Sequence, residues 1–181
     1  MIIRLRHTTP ADLAWVTDLE RAHEGRIGQW TDAQHLEAMR MPDCEHRVME
    51  IPGGEPLGYL IAYDTTAATG GIYIKRILVA DKGLGTGTAV MRSWLEKAFA
   101  RPEVRFVWLN VFDWNDGAQV LYGRLGFVRW DPDADERLLC DEAAEPPAPT
   151  AFRMRLDRLS HEALRQPGDG DPAWSPARSS T

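Results

Sequence analysis

Positions 82 to 87 read Lys82-Gly83-Leu84-Gly85-Thr86-Gly87, with three glycines in five positions. Glycine loses more backbone entropy on folding than any other residue, so the cluster needs a physical reason. Without a Cβ, such a backbone can lie against a ligand and aim its N–H groups at it. A helix follows, and its free N-terminal donors and partial positive charge favour an anion, most often a phosphate. A triphosphate-binding loop ends in Gly-Lys-Ser/Thr, but here Gly87 is followed by Thr88 and Ala89. A dinucleotide fingerprint needs G-x-G-x-x-G, and Thr88 stands where its third glycine belongs. The run is therefore a phosphate cradle of another kind or a structural turn. Further along, Asn115, Ala118 and Tyr122 recur at helical spacing in NDGAQVLYGRLGF. A phenol there can donate a proton, or it can simply pack with its hydroxyl at the rim. Asn115 can bond a ligand or shape the loop before the helix.

The two motifs together carry a resemblance. Lys82-x-x-Gly85-x-Gly87 resembles the Q/R-x-x-G-x-G/A loop of the GNAT N-acetyltransferases. Asn115-x-x-Ala118-x-x-x-Tyr122-x-x-x-Gly126-Phe127 resembles that family's N-x-x-A…Y…GF segment in type, order and spacing. Lys82 departs from the usual Arg or Gln; it keeps a donor and a charge but loses the planar fork. The resemblance covers residues 1–156. It implies acetyl-CoA as acyl donor, with no metal. The loop of Lys82, Gly83, Leu84, Gly85, Thr86, Gly87 and Thr88 would hold the pyrophosphate. The main chain of Leu78 and Val79 would pair with the pantetheine arm as an extra strand at a splayed sheet, with Asn115 and Ala118 beside it. Tyr122 would give a proton or a hydrogen bond to the leaving sulfur. The implied reaction is direct acetyl transfer to a primary amine. The acceptor stays open among a protein N-terminus, a polyamine, an amino acid and an antibiotic. Two other readings share the fold: a catalytically silent acyl-CoA-binding sensor or interaction module, and an enzyme using a longer acyl-CoA. No general base stands out; Glu50 and Glu24 are candidates, and a water relay would need neither.

These residues need elements to position them. Segments 2–6 and 152–156 alternate apolar and polar, and 46–51, 57–63, 72–79, 106–111 and 127–130 are rich in apolar and aromatic residues, so seven strands are expected. Segments 46–51 and 57–63 flank the turn Pro52-Gly53-Gly54-Glu55-Pro56 and read as a hairpin feeding the strand at 72–79. The strands at 72–79 and 106–111 enclose a helix, so they should run parallel and splay apart at one end. The strand at 127–130 should partner that at 152–156. Lys75 and Arg76 fall on opposite faces if the strand alternates. Thr9-Pro10-Ala11-Asp12 and Thr31-Asp32-Ala33-Gln34 are helix starts. The second helix carries Leu36 and Met39 and stops at Pro42. Val90, Met91, Trp94, Leu95, Ala98 and Phe99 form the stripe of an amphipathic helix. A last helix spans 117–125, with Asp116 as cap and Gly126 as stop. The whole predicts one α/β domain over 1–156, a mixed and mostly antiparallel sheet flanked by helices, and an irregular extension over 157–181. That extension has room for a short helix at 157–165.

Between the first two helices, 23–30 has no clear period; the resemblance implies that this region covers the acceptor end, so His23, Glu24 and Trp30 are either acceptor contacts or solvated loop residues with one packing Trp. Segment 131–150 is an acidic excursion with Arg137 as its one basic residue. It is either a solvated loop or a lure for a cationic acceptor such as a polyamine. The chain of 181 residues, 44% hydrophobic and 27% charged, suits a single globular domain. A net charge of −6 without a basic stripe argues against a nucleic-acid partner. Cys44 and Cys140 show no metal spacing and are read as reduced thiols of a cytoplasmic protein. The N-terminal run lacks the apolar core of a signal peptide, and no apolar run nears the ~20 residues of a membrane span. A monomer and a homodimer are equally compatible with the sequence.

Overall fold

The computed structural model describes residues 3–51, 53–80, 85–133, 148 and 150–165. Lys82, Gly83 and Leu84, most of the acidic excursion with Cys140, and the chain from 166 onward lie outside the described residues. Among the described residues, seven strands build one sheet: β1 (Arg4–His7), β2 (Cys44–Glu50), β3 (Pro56–Tyr63), β4 (Gly71–Val79), β5 (Phe106–Phe112), β6 (Val128–Trp130) and β7 (Ala151–Asp157). Their spatial order is β1-β2-β3-β4-β5-β7-β6. Every neighbouring pair is antiparallel except β4 and β5. The helical crossover between those two enforces the parallel sense, as expected. The pairing of β6 with β7 was also expected. The seven-residue ladder of β7 along β5 was not, because nothing in the acidic excursion says which edge the chain returns to.

Among the described residues, five α-helices flank the sheet: α1 (Leu13–Ala22), entered through a 3₁₀ turn at Pro10–Asp12, then α2 (Asp32–Arg40), α3 (Thr86–Phe99), α4 (Asp116–Arg124) and α5 (Arg158–Arg165). The start signals work as written. Thr9 N–H donates to Asp12 Oδ2 at 2.7 Å. Thr31 N–H donates to Gln34 Oε1 at 2.9 Å, and Gln34 N–H donates back to Thr31 Oγ1 at 3.3 Å. Gly126 stops α4 at φ +88. There Gly126 N–H donates to Gly123 O and Phe127 N–H to Tyr122 O, each at 3.0 Å, the paired bonds of a left-handed helix stop. The start of α4 differs from expectation. Its cap is Asn115, whose Oδ1 accepts from Ala118 N–H at 3.3 Å. Asp116 is already helical, and its charge there suits the helix dipole.

The main core lies between the sheet and α3 and α4, with Ile72, Ile74, Trp94, Leu95, Leu109 and Leu156 among its members. A smaller cluster of Val16, Leu19, Tyr59, Ile61 and Leu78 joins α1 to the opposite face. On α2 the buried side chains are His35 and Ala38, while Leu36 and Met39 are only half-buried. Hydropathy alone misplaces that face, because His35 is drawn inward by polar partners.

Lys75 and Arg76 depart from alternation. Ile61 pairs with Arg76 and Ala62 with Ile74, so Lys75 is an extra residue in β4, a β-bulge. Lys75 Nζ lies 5.5 Å from the Tyr73 ring centroid, and Arg76 reaches Glu20 on α1. Both side chains therefore share one face. Packing also continues past residue 156. The Arg158 guanidinium donates to Phe99 O at 2.6 Å and to Val104 O at 3.0 Å, and the His161 ring stacks on Phe99.

Candidate active site

The parallel ladder is short. Gly71 to Ile74 pair with Phe106 to Leu109, yet β4 runs on to Val79 and β5 to Phe112. Beyond that point β4 stays with β3 and β5 stays with β7. The strands therefore part after Ile74 and Leu109, and the β5-facing edge at Leu78 and Val79 has no strand beside it among the described residues. The bulge at Lys75 sits where they diverge, and a bulge adds bend and twist at such a place.

A cleft of about 760 Å³ opens at the gap. Its walls gather Leu78 and Val79 of β4, Gly85, Thr86, Gly87 and Thr88 at the start of α3, and Asn115, Ala118 and Tyr122 before and along α4. Every described member of the expected set thus meets in one place. Lys82, Gly83 and Leu84 fall outside the described residues.

The start of α3 leaves its first backbone donors without a side-chain partner among the described residues. Gly85 is its N-cap at φ +73, a conformation that side chains with a Cβ rarely adopt. No side chain caps this end among the described residues, in contrast to α2 and α4. The N–H groups of Thr86, Gly87 and Thr88 precede any helical acceptor, so they are donors for whatever enters the cleft. A Cβ at Gly87 would lie 3.0 Å from Leu121 Cδ1, so the loop also packs closely on α4.

Tyr122 is buried and touches the main core, with its ring 5.7 Å from that of Phe127, and it also lines the cleft. Burial alone pushes its phenol up to about 12. Its proton is therefore in place throughout the neutral range, as a donor requires. The Oδ1 of Asn115 is engaged by its cap, so its amide N–H₂ is the part left for a ligand.

The candidate bases lie elsewhere. Glu50 accepts from Arg6 Nε at 2.7 Å and is absent from the cleft lining; Glu24 is exposed and also absent. Trp30 packs against the Arg76 guanidinium at 4.4 Å, away from the lining. His23 does line the cleft. Its Nδ1 lies 2.9 Å from Leu19 O, which makes Nδ1–H the donor and leaves Nε2 as the acceptor nitrogen of the ring. The sequence reading missed Arg26, Ile27, Trp114 and Arg124, which also line the cleft. The first two sit in a stretch without periodicity. Trp114 had one signal, its place beside Asn115, and its side chain is 48% exposed. Arg26 and Arg124 add positive charge suited to an anionic donor. Among the described residues, no group of three or more His, Cys, Asp or Glu side chains is placed to hold a metal ion, and no helix is long and apolar enough to cross a membrane.

Known proteins match this architecture. The spermidine/spermine N-acetyltransferase SpeG from Vibrio cholerae, in a mutant form, superposes with a TM-score of 0.68 at 16% identity, over 90% of this chain and 97% of that one. The same enzyme in complex with CoA and spermine gives 0.67 at 16% identity, over 88% and 98%. Its dodecameric form in an intermediate state gives 0.68 at 15% identity, over 91% and 98%. At such identities the likeness is one of fold. The model of the acetyltransferase (GNAT) family matches residues 13–127, which hold the described walls of the cleft. The chain belongs to the GNAT family, and its chemistry is acetyl-CoA-dependent N-acetyl transfer to an amine.

Proposed function

We propose that the cleft holds acetyl-CoA with its pyrophosphate on the Gly85–Thr88 backbone, and that the acceptor is a small cationic amine. The observation that carries this is the meeting of three features at one gap: an uncapped helix start, an open strand edge and a buried tyrosine. The pantetheine amides can bond to the free edge of Leu78 and Val79, which supplies the donors and acceptors of a strand. Lys82, Gly83 and Leu84 extend the phosphate cradle in this reading. The reacting ammonium of the acceptor first gives up a proton to water; the free amine nitrogen then attacks the thioester carbonyl, the C–S bond breaks, and the coenzyme A sulfur takes the phenolic proton of Tyr122. The proton lost by the attacking amine passes to His23 Nε2 or to water, and solvent reprotonates Tyr122. A net charge of −6 supports a cationic acceptor.

The test is thiol release from acetyl-CoA with a panel of spermine, spermidine, lysine and a peptide with a free N-terminus. Turnover with at least one polyamine, and none without amine, is the expected result. Coenzyme A binding without thiol release on any amine would instead assign the protein to the silent binding class.

A further inference from the structure

A second polar cluster lies inside the protein, on the α1 face of the sheet and outside the cleft lining. Glu20 of α1 is 0% exposed, and a buried carboxylate is tolerated only with partners. Arg76 Nη1 donates to its Oε1 at 3.0 Å, and the Tyr59 hydroxyl donates to the same oxygen. Trp30 N–H donates to Oε2 at 2.8 Å. His35 Nε2 stands 3.4 Å from Oε1. Behind it, His35 Nδ1 lies 3.0 Å from His46 Nε2, and His46 Nδ1 lies 2.8 Å from Thr8 Oγ1. Burial pushes His46 down to about 4, in keeping with a neutral ring. Burial raises the Glu20 carboxyl, but the bonds from His35, Tyr59 and Trp30 and the charge of Arg76 outweigh it and hold the group below its usual range.

This cluster grips one wall of the cleft. Loop 23–31 supplies His23, Arg26 and Ile27 to the lining. Its far half is tied down at Trp30 N–H, at Gln29 Nε2, which donates to Glu20 O at 2.7 Å, and at Gly28 O, which accepts from Arg76. Arg76 directly follows the bulge and stands two residues before Leu78. The same carboxylate thus binds the acceptor-side loop and the strand that borders the gap.

We propose that Glu20 is a positioning residue for acyl transfer: it locks loop 23–31 onto β4 and so sets where His23, Arg26 and Ile27 stand relative to Leu78 and Val79. It touches neither substrate. Its effect is on the geometry of the acceptor end, while the phosphate cradle at α3 lies on other elements. The proposal rests on the reading of the cleft as the acyl-transfer site.

The experiment compares wild type, Glu20→Gln and Arg76→Lys by thermal melting, by calorimetric coenzyme A affinity, and by steady-state kinetics on the best amine of the panel above. Arg76→Lys keeps the charge opposite Glu20 but cannot span to Gly28 O as well. Both variants should bind coenzyme A within about twofold of wild type while acceptor kcat/KM falls by about tenfold or more, the loss smaller in Arg76→Lys. A lowered melting temperature with wild-type kinetics in either folded variant would overturn the proposal and leave the cluster a stabilising one. Loss of fold in both at the assay temperature would do the same. A wild type that does not bind coenzyme A would overturn the cleft reading itself, and the proposal with it.

Discussion

A phenol can act as an acid only while it holds its proton, and burial ensures that for Tyr122. The same burial makes the residue part of the core, so its two roles must be separated by experiment. Tyr122→Phe keeps the ring and its contact with Phe127. Coenzyme A affinity and melting temperature should hold, while kcat falls by up to about 10²-fold if proton donation governs the barrier. Because the group ionises near 12, the wild-type rate should show no Tyr122 limb at neutral pH; deprotonation should remove activity only in strong alkali. Unchanged kcat in the variant, with chemistry shown to limit the rate, would leave Tyr122 a packing residue. Tyr122 was legible in the sequence through its spacing from Asn115 and Ala118. Glu20 was not, since a glutamate on a short amphipathic helix reads as surface. Its partners Tyr59, Arg76 and His35 come from three other segments, which only the fold brings together.

At the scale of elements, local signals carried far and register did not. Thr31 with Gln34, and Gly126 after α4, act within a few residues of themselves, so their effect is readable in place. The bulge at Lys75 depends on how β3 pairs with β4, and the entry of β7 beside β5 depends on a return path. Neither relation is written in the segment that shows it. The uncapped start of α3 is the element with the clearest functional demand. Gly85→Val places a β-branched side chain at φ +73, which strains the turn, and puts bulk where a phosphate would approach. Coenzyme A affinity should drop by about tenfold or more, since charge-assisted bonds from the helix start would be lost. Thermal stability should fall as well, through the backbone strain at φ +73, although the Cβ itself meets nothing within 4 Å. Equal calorimetric affinity in wild type and variant would remove the phosphate from this loop.

At the scale of the whole molecule, the sheet is two plates, β1 to β4 and β5 to β6 with β7 between, joined by four residue pairs of one parallel ladder. A pantetheine arm laid along the open edge would bridge them. Acetyl-CoA should therefore slow amide exchange at 75–79 and 110–112, and leave Ile72, Ile74, Val107 and Leu109, already paired, nearly unchanged. Exchange at those segments that ignores saturating donor would place the arm elsewhere. The short ladder also bears on the order of events. His23 and Ile27 come from the first plate's side of the cleft and Trp114 and Tyr122 from the second's. An acceptor touching both would therefore find its pocket complete only once the donor lies along the edge between them. Turnover should then follow a compulsory sequence, donor entering before amine, with free coenzyme A competing against acetyl-CoA alone.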